Sequence, residues 1–468
     1  MNNLVFAGIS PHPPIVVPEI GKGEGGKAAN TTAAMKEWAA LLKSTNPDLL
    51  VIISPHGNVF KDAIAITVEP QLEGDLAGFG AGEVRFEVET HLEAAEAIMD
   101  MAGRLKVPTV DVDNFVAGEY GASLRLDHGV MVPLYYLRQA GVEVPIVSVA
   151  MGILPFEELY SFGVAVQRAA GLLDKRVALV ASGDLSHCLT PDASAGFTPE
   201  GAEFDQRIVE ALAILNVTAI KDLEPGLVEK AGECGLRPII MMLGALDGLE
   251  VKSTVHSYEG PFGVGYLVAS FIPGGVSPER QLLDKLLAER RVAVEVRRGA
   301  ESATVKLARQ SLEHYVQEGK IMALPEKLAP EMEEQAGVFV SIKKFGQLRG
   351  CIGTTGSTKA NVAEEILHNA VSAGTDDPGF LPVIKDELED LVYSVDVLKA
   401  PELVDSTDQL DVKRYGVIVR SGRRSGLLLP NLEGVDTVEE QLKIAKQKAG
   451  IDAHEPVEIE RFEVVRYY

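Results

Sequence analysis

Short apolar runs alternate with stretches of helical spacing over the first part of the chain, the pattern of an α/β layer protein. Leu4-Val5-Phe6-Ala7-Gly8-Ile9 and Leu49-Leu50-Val51-Ile52-Ile53 read as buried strands, and each stops in a loop that begins Ser-Pro-His. Between them Thr31 to Ser44 has helical spacing, with Met35, Trp38, Leu41 and Leu42 on one side. The runs Val144 to Val149 and Val177 to Ala181 repeat the logic, the second leading into Ser182-Gly183-Asp184-Leu185-Ser186-His187. In open α/β sheets ligands sit beyond the carboxyl ends of strands, so three such loops define a site.

After a strand-like Gly265 to Phe271, the Pro- and Gly-containing stretch Phe271 to Arg280 predicts a domain boundary. The expected division is a first domain over 1–272, a linker over 273–284 and a second domain over 285–468. The second part opens with a charged helical stretch from Gln281 to about Gly319. Strands are predicted at Gly337 to Lys343, Leu391 to Leu398 and Gly416 to Arg420, with helices at Asn361 to Ala373 and Val438 to Ala449. The fold class is therefore α/β, a central sheet flanked by helices, followed by an α+β domain.

Charge narrows the function. The chain has 468 residues with 44 Lys+Arg against 68 Asp+Glu, a formal charge of −24. Binding a phosphate backbone needs clustered cations, and no basic run is present, so nucleic acid is excluded as a partner. No apolar run approaches the ~20 residues that cross a bilayer, so no membrane association is expected. The opening Met1-Asn2-Asn3-Leu4 has no basic segment or apolar core of a secretory signal, which predicts a cytoplasmic protein. Cys188, Cys234 and Cys351 are odd in number and far apart, neither a disulfide framework nor a CxxC zinc signature.

The candidate chemistry lies in the histidines. His12 and His56 each follow a buried strand in the same Ser-Pro-His tripeptide, and adjacent strands would bring their imidazoles to one spot. Two neutral imidazoles there suit Fe(II), Mn(II) or Zn(II). A catalytic metal needs a third protein ligand and open positions. The turn Ala231-Gly232-Glu233-Cys234-Gly235-Leu236-Arg237-Pro238 offers two alternatives. Glu233 would complete a facial arrangement of two histidines and a carboxylate, and Cys234 would bind a softer metal; the other alternative is that Glu233 caps the following helix and Cys234 packs as a small hydrophobe. His128 and His187 are free for proton transfer or serve as structural hydrogen-bonding residues. His91, within a helix-like Glu87 to Ala97, is expected to face solvent, and His256 to lie on a strand. Arg125 and Arg237 are candidates for holding an anionic aromatic acid.

Ser10-Pro11-His12-Pro13-Pro14, Ser54-Pro55-His56-Gly57, Asp127-His128-Gly129 with Val132-Pro133-Leu134, and Ser182 to His187 resemble the class III extradiol dioxygenases of the LigB type. The resemblance covers roughly 1–272. It implies Fe(II) held by His12, His56 and a glutamate, an acid/base role for His187, contact of His128 with substrate or oxygen, and O2-dependent opening of a catechol ring. At the third ligand, Cys234-Gly235-Leu236-Arg237-Pro238 more closely resembles the Cys-Gly-x-x-Pro of the related Memo family. Leu348-Arg349-Gly350-Cys351-Ile352-Gly353, Asp376-Asp377-Pro378-Gly379-Phe380 and Ser425 to Pro430 resemble the AMMECR-type domain of AmmeMemoRadiSam systems. That resemblance implies a radical-SAM protein as partner, beside a small aromatic substrate and O2; a homo-oligomer is also expected. In this domain Cys351 is a candidate thiolate stabilised by Arg349, or a packing residue.

Overall fold

The computed structural model describes residues 3–432 and 434–468; Met1 and Asn2, which open the segment read for a secretory signal, lie outside the described residues. The chain divides between Ala288 and Glu289 into two compact units. The stretch 273–284 holds the end of a strand, a 3-10 turn at Pro278–Arg280 and the start of the helix Leu283–Gly299. Leu283 and Leu286 of that helix are buried in the first unit's core.

Among the described residues of the first unit there are ten strands: β1 (Leu4–Ser10), β2 (Leu49–Ser54), β3 (Ile64–Thr67), β4 (Gln71–Leu76), β5 (Ala81–Glu89), β6 (Thr109–Val112), β7 (Ile146–Ala150), β8 (Val177–Ser182), β9 (Leu249–Glu259) and β10 (Tyr266–Val276). Eight form one mixed sheet in the order β6-β3-β7-β2-β8-β1-β10-β9, and β4 and β5 form a separate hairpin. The centre, β7-β2-β8-β1, is parallel, and β10 runs antiparallel beside β1.

The unbroken apolar runs follow from coverage on both faces. Leu49, Val51 and Ile53 of β2, with Val177, Leu179 and Ala181 of β8, face one core that also takes Leu159, Phe162, Val166 and Ile240. Leu50 and Ile52, with Ala178 and Val180, face the other, which takes Met35, Trp38 and Leu42 from the helix Ala29–Ser44 and Val130, Leu134 and Leu137 from His128–Gln139. Register sets the site: Ser10 pairs with Ser182 and Ile53 with Ala181, so the ends of β1, β2 and β8 finish at one edge of the sheet.

In the second unit, β11 (Val338–Lys344), β12 (Gln347–Gly353), β13 (Leu391–Leu398), β14 (Glu402–Val404), β15 (Gly416–Ser421), β16 (Arg424–Leu428), β17 (Glu458–Phe462) and β18 (Val464–Tyr467) make two four-stranded sheets, β12-β11-β13-β18 and β14-β17-β15-β16. The helices Ala303–Glu318 and Val362–Thr375 pack on the first of these sheets. The helical stretch read from Gln281 to Gly319 is two helices, because Ser302 leaves helical geometry and its hydroxyl accepts from Val305 N at 3.3 Å, a new N-cap. His91 does not sit within a helix: β5 runs to Glu89, and His91 caps the helix Leu92–Arg104 by accepting from Ala94 N at 3.2 Å.

Two helices of the first unit meet without side chains between them at Gly163 and Gly244; a Cβ on Gly163 would overlap the Met241 carbonyl, and one on Gly244 the Tyr160 carbonyl. Gly163→Ala should therefore cost about 1–3 kcal/mol through overpacking. Urea unfolding of variant and wild type measures it, and an unchanged midpoint would contradict this contact.

Candidate metal centre

At the shared edge, the chain after β1 supplies His12, the chain after β2 supplies His56, and His128 opens the helix that Asp127 caps through Gly129 N at 2.7 Å. Among the described residues, His12, His56 and His128 form a group whose ligand atoms all lie within 4.8 Å of one another. His12 Nε2 and His56 Nε2 are 2.9 Å apart. That separation suits two donors at right angles around one ion, since bonds of about 2.1 Å place such donors about 3 Å apart. The rings of His56 and His128 stack with centroids 4.4 Å apart, and His12 stands edge-on to His56.

Hydrogen bonds fix which ring nitrogens are free. The Ser182 hydroxyl donates to the Gly129 carbonyl, so it can only accept from His12 Nδ1, 3.0 Å away. His12 Nδ1 therefore carries the proton and Nε2 presents its lone pair to the cluster, the usual outer-shell arrangement of a metal-binding histidine. The His56 loop is tied to the His128 helix by one carboxylate. Ser54 Oγ accepts from His56 N at 3.2 Å and donates to Asp127 Oδ1 at 2.6 Å.

All three imidazoles favour the neutral form. Burial pushes His12 well below its ordinary value, and the neighbouring His56, His128 and His187 add to the shift. Desolvation and then His128 lower His56 to about 4 against the opposing charge of Asp127. Burial lowers His128, again against Asp127. Three close neutral imidazoles fit a divalent transition metal by donor chemistry.

His187 reaches the site beside Cys234. Its Nδ1 donates to the Gly232 carbonyl at 2.6 Å, and its Nε2 lies 4.0 Å from Cys234 Sγ. Cys234 Sγ is in turn 3.6 Å from His12 Nε2. A close backbone approach brings the thiol here, because a Cβ on Gly183 would overlap the Gly235 Cα, and Asp184 N donates to Cys234 Sγ at 3.4 Å. Burial, followed by the Asp184 charge, pushes the thiol pKa up. The Glu233 carboxylate points elsewhere. It accepts from Leu236 N at 2.5 Å, at the start of the helix Leu236–Gly244, and neither Glu233 nor Cys234 belongs to the three-imidazole group. Asp184 is a further residue of the site, beyond the candidates that the sequence offers; it is buried, accepts from His12 N at 3.0 Å, and burial raises its pKa to about 7. Its place in Ser182-Gly183-Asp184, directly after a buried strand, was the available signal.

A family model described as the catalytic LigB subunit of aromatic ring-opening dioxygenase matches residues 7–269. The chain belongs to the LigB family. An AMMECR1 model matches residues 305–467, so an AMMECR1 domain follows the LigB domain. Protein CA_C1420 of Clostridium acetobutylicum is 43% identical over 459 residues, 98% of this chain and 97% of that protein, and so spans both domains. A Thermotoga maritima protein is 54% identical over 166 residues, 35% of this chain and 95% of its own. Among solved structures, uncharacterized protein JW3007 from Escherichia coli K12 matches with a TM-score of 0.40 at 15% identity, over 57% of this chain and 99% of that one. Uncharacterized protein PH0010 from Pyrococcus horikoshii matches with a TM-score of 0.33 at 34% identity, over 35% and 88%.

In the AMMECR1 unit, Arg349 does not serve the Cys351 thiol. Its guanidinium bonds the Glu387 carboxylate at 3.0 and 2.9 Å and the Leu381 carbonyl at 2.8 Å. Cys351 donates its backbone N–H to Asp377 at 2.8 Å and receives the Ser341 hydroxyl at 3.3 Å. Burial, with the charges of Asp377 and Asp396, raises the thiol pKa. In the LigB unit, Arg125 is likewise held, by Glu73 and Asp75 at 2.6 Å each.

Ser182→Ala removes the acceptor for His12 Nδ1 and should weaken binding of a divalent metal by roughly 10–100-fold. Competition titration with a chelator measures this, and an unchanged affinity would remove Ser182 from the site. A second expectation concerns pH. The His56 value falls from 6.5 to about 4 on folding, so between those values the unfolded chain binds more protons and stability rises with pH. The contribution is fully present above the unfolded value and is lost as pH falls through the window. The urea midpoint of the metal-free chain should drop from pH 7 to pH 4.5, and His56→Gln should drop less.

Proposed function

We propose that the LigB unit is a metal-dependent, Memo-like protein whose ion is held by imidazoles, and not the iron site of two histidines and a glutamate that a ring-cleaving enzyme uses. The observation that carries this is the neutral His12, His56 and His128 group, flanked by the Cys234 thiol while the Glu233 carboxylate is bonded to Leu236 N. Imidazole donors suit zinc as well as iron or manganese, and a thiol at the flank favours a softer ion. A bound divalent cation would supply Lewis-acid polarisation of a ligand oxygen. His187, anchored through Nδ1 on the Gly232 carbonyl, would take a proton from a bound ligand at Nε2 and return it. The AMMECR1 domain in the same chain supports a role beside a radical-SAM protein.

The second reading is extradiol cleavage of a small aromatic substrate with O2 on Fe(II). The LigB match and the free His187 Nε2 favour it.

Metal analysis of the full chain and its variants separates the readings. His12→Ala and His56→Ala should each lose the metal with the fold intact, whereas Glu233→Gln should keep it. Loss of metal in Glu233→Gln would overturn the imidazole-held site. Oxygen consumption on 3,4-dihydroxybenzoate, abolished by His187→Ala at normal metal content, would establish the second reading over the first.

A further inference from the structure

The β4–β5 hairpin is fastened along its length and exposed at its tip. Leu72, Leu76, Ala81, Val84 and Val88 are buried in one of the two cores. Arg125 bridges Glu73 and Asp75, and Leu126 N donates to the Glu73 carbonyl at 2.9 Å, so the hairpin is tied to the segment just before His128. The tip, Ala77–Phe79, is a 3-10 turn closed by Gly80 in the left-handed region at φ 84°. A Cβ on Gly78 or Gly80 would meet nothing within 4 Å.

Phe79 stands 46% exposed on this tip and joins no apolar core cluster. Its ring centroid is nevertheless 5.4 Å from that of His128, at an interplanar angle of 59°, and His128 stacks on His56. A line of rings thus runs from solvent at Phe79 through His128 to the imidazole His56. Burial of the hairpin body explains why the tip is held in place, but no core packing accounts for the phenyl ring at its end.

We propose that Phe79 is a specificity-determining contact of this site. Its exposed ring takes the flat apolar part of a ligand whose polar end reaches the ion that His12, His56 and His128 would hold. The assignment rests on the metal-binding reading above and adds the residue that selects the ligand's body. Ring pairs with centroids about 4.5–7 Å apart are attractive beyond their buried area, enough for up to about a tenfold gain in affinity.

Acetohydroxamate and benzohydroxamate share one chelating head and differ by a phenyl ring, so the pair reads the contact directly. Calorimetric titration of the full chain, with bound metal counted by mass spectrometry, should show tighter binding of benzohydroxamate. Phe79→Ala should lose about five- to tenfold for that probe and keep its affinity for acetohydroxamate, while Phe79→Trp retains the preference. Equal binding of the two probes by the wild type, or an unchanged preference in Phe79→Ala, overturns the assignment. With metal present, either outcome leaves the metal reading standing; no metal and no binding of either probe removes both.

Discussion

The Ser182 hydroxyl is the contact on which the rest of the site depends. Sitting at the end of a buried parallel strand, it has one proton to give and gives it to the Gly129 carbonyl, so it can meet His12 Nδ1 only as an acceptor. One side chain thereby sets the tautomer of the most buried imidazole and ties it to the helix that begins with His128. Ser54 and Asp127 tie the His56 backbone to the same helix. Three chain segments far apart in sequence are locked to one another by short hydrogen bonds inside the protein, where an unmade bond is costly.

Close packing of like groups does the electrostatic work. Two protonated imidazoles would repel across the 2.9 Å between His12 and His56, and burial penalises charge on either, so the cluster is neutral around pH 7 and its lone pairs are available. Asp127 opposes the shift at His56 and His128 without cancelling it. Beside the same His12 Nε2, Asp184 and Cys234 are pushed toward their protonated forms by burial. A divalent ion would therefore meet imidazole lone pairs instead of protons.

Neighbouring residues in the chain have opposite fates for simple geometric reasons. Glu233 precedes a helix by three positions, within reach of the free Leu236 N–H, and its carboxylate is drawn there. Cys234, one residue on, is turned to the imidazoles by the glycine contact between Gly183 and Gly235. In the AMMECR1 unit the nearest carboxylate likewise decides the outcome. Arg349 is taken by Glu387, with Lys344 on the same acid, so Cys351 is left among Ser341, Asp377 and Asp396.

Local order was enough for much of this protein. Unbroken apolar runs ending in Ser-Pro-His announced buried strands with histidines at their tips, because a strand covered on both faces needs apolar residues at every position. The helix Ala29–Ser44 and the strands of the second unit near 338, 391 and 416 were legible for the same reason of periodicity. Four-residue strands such as β3 and β6, and the half-polar β4–β5 hairpin, carry too few positions to show a period. The membership of His128 in the imidazole group, the inward thiol of Cys234 and the approach of Phe79 could not be read along the chain. They depend on strand register, on which N–H a helix leaves unpaired and on where a hairpin is fastened, and these are settled only when distant segments pack together.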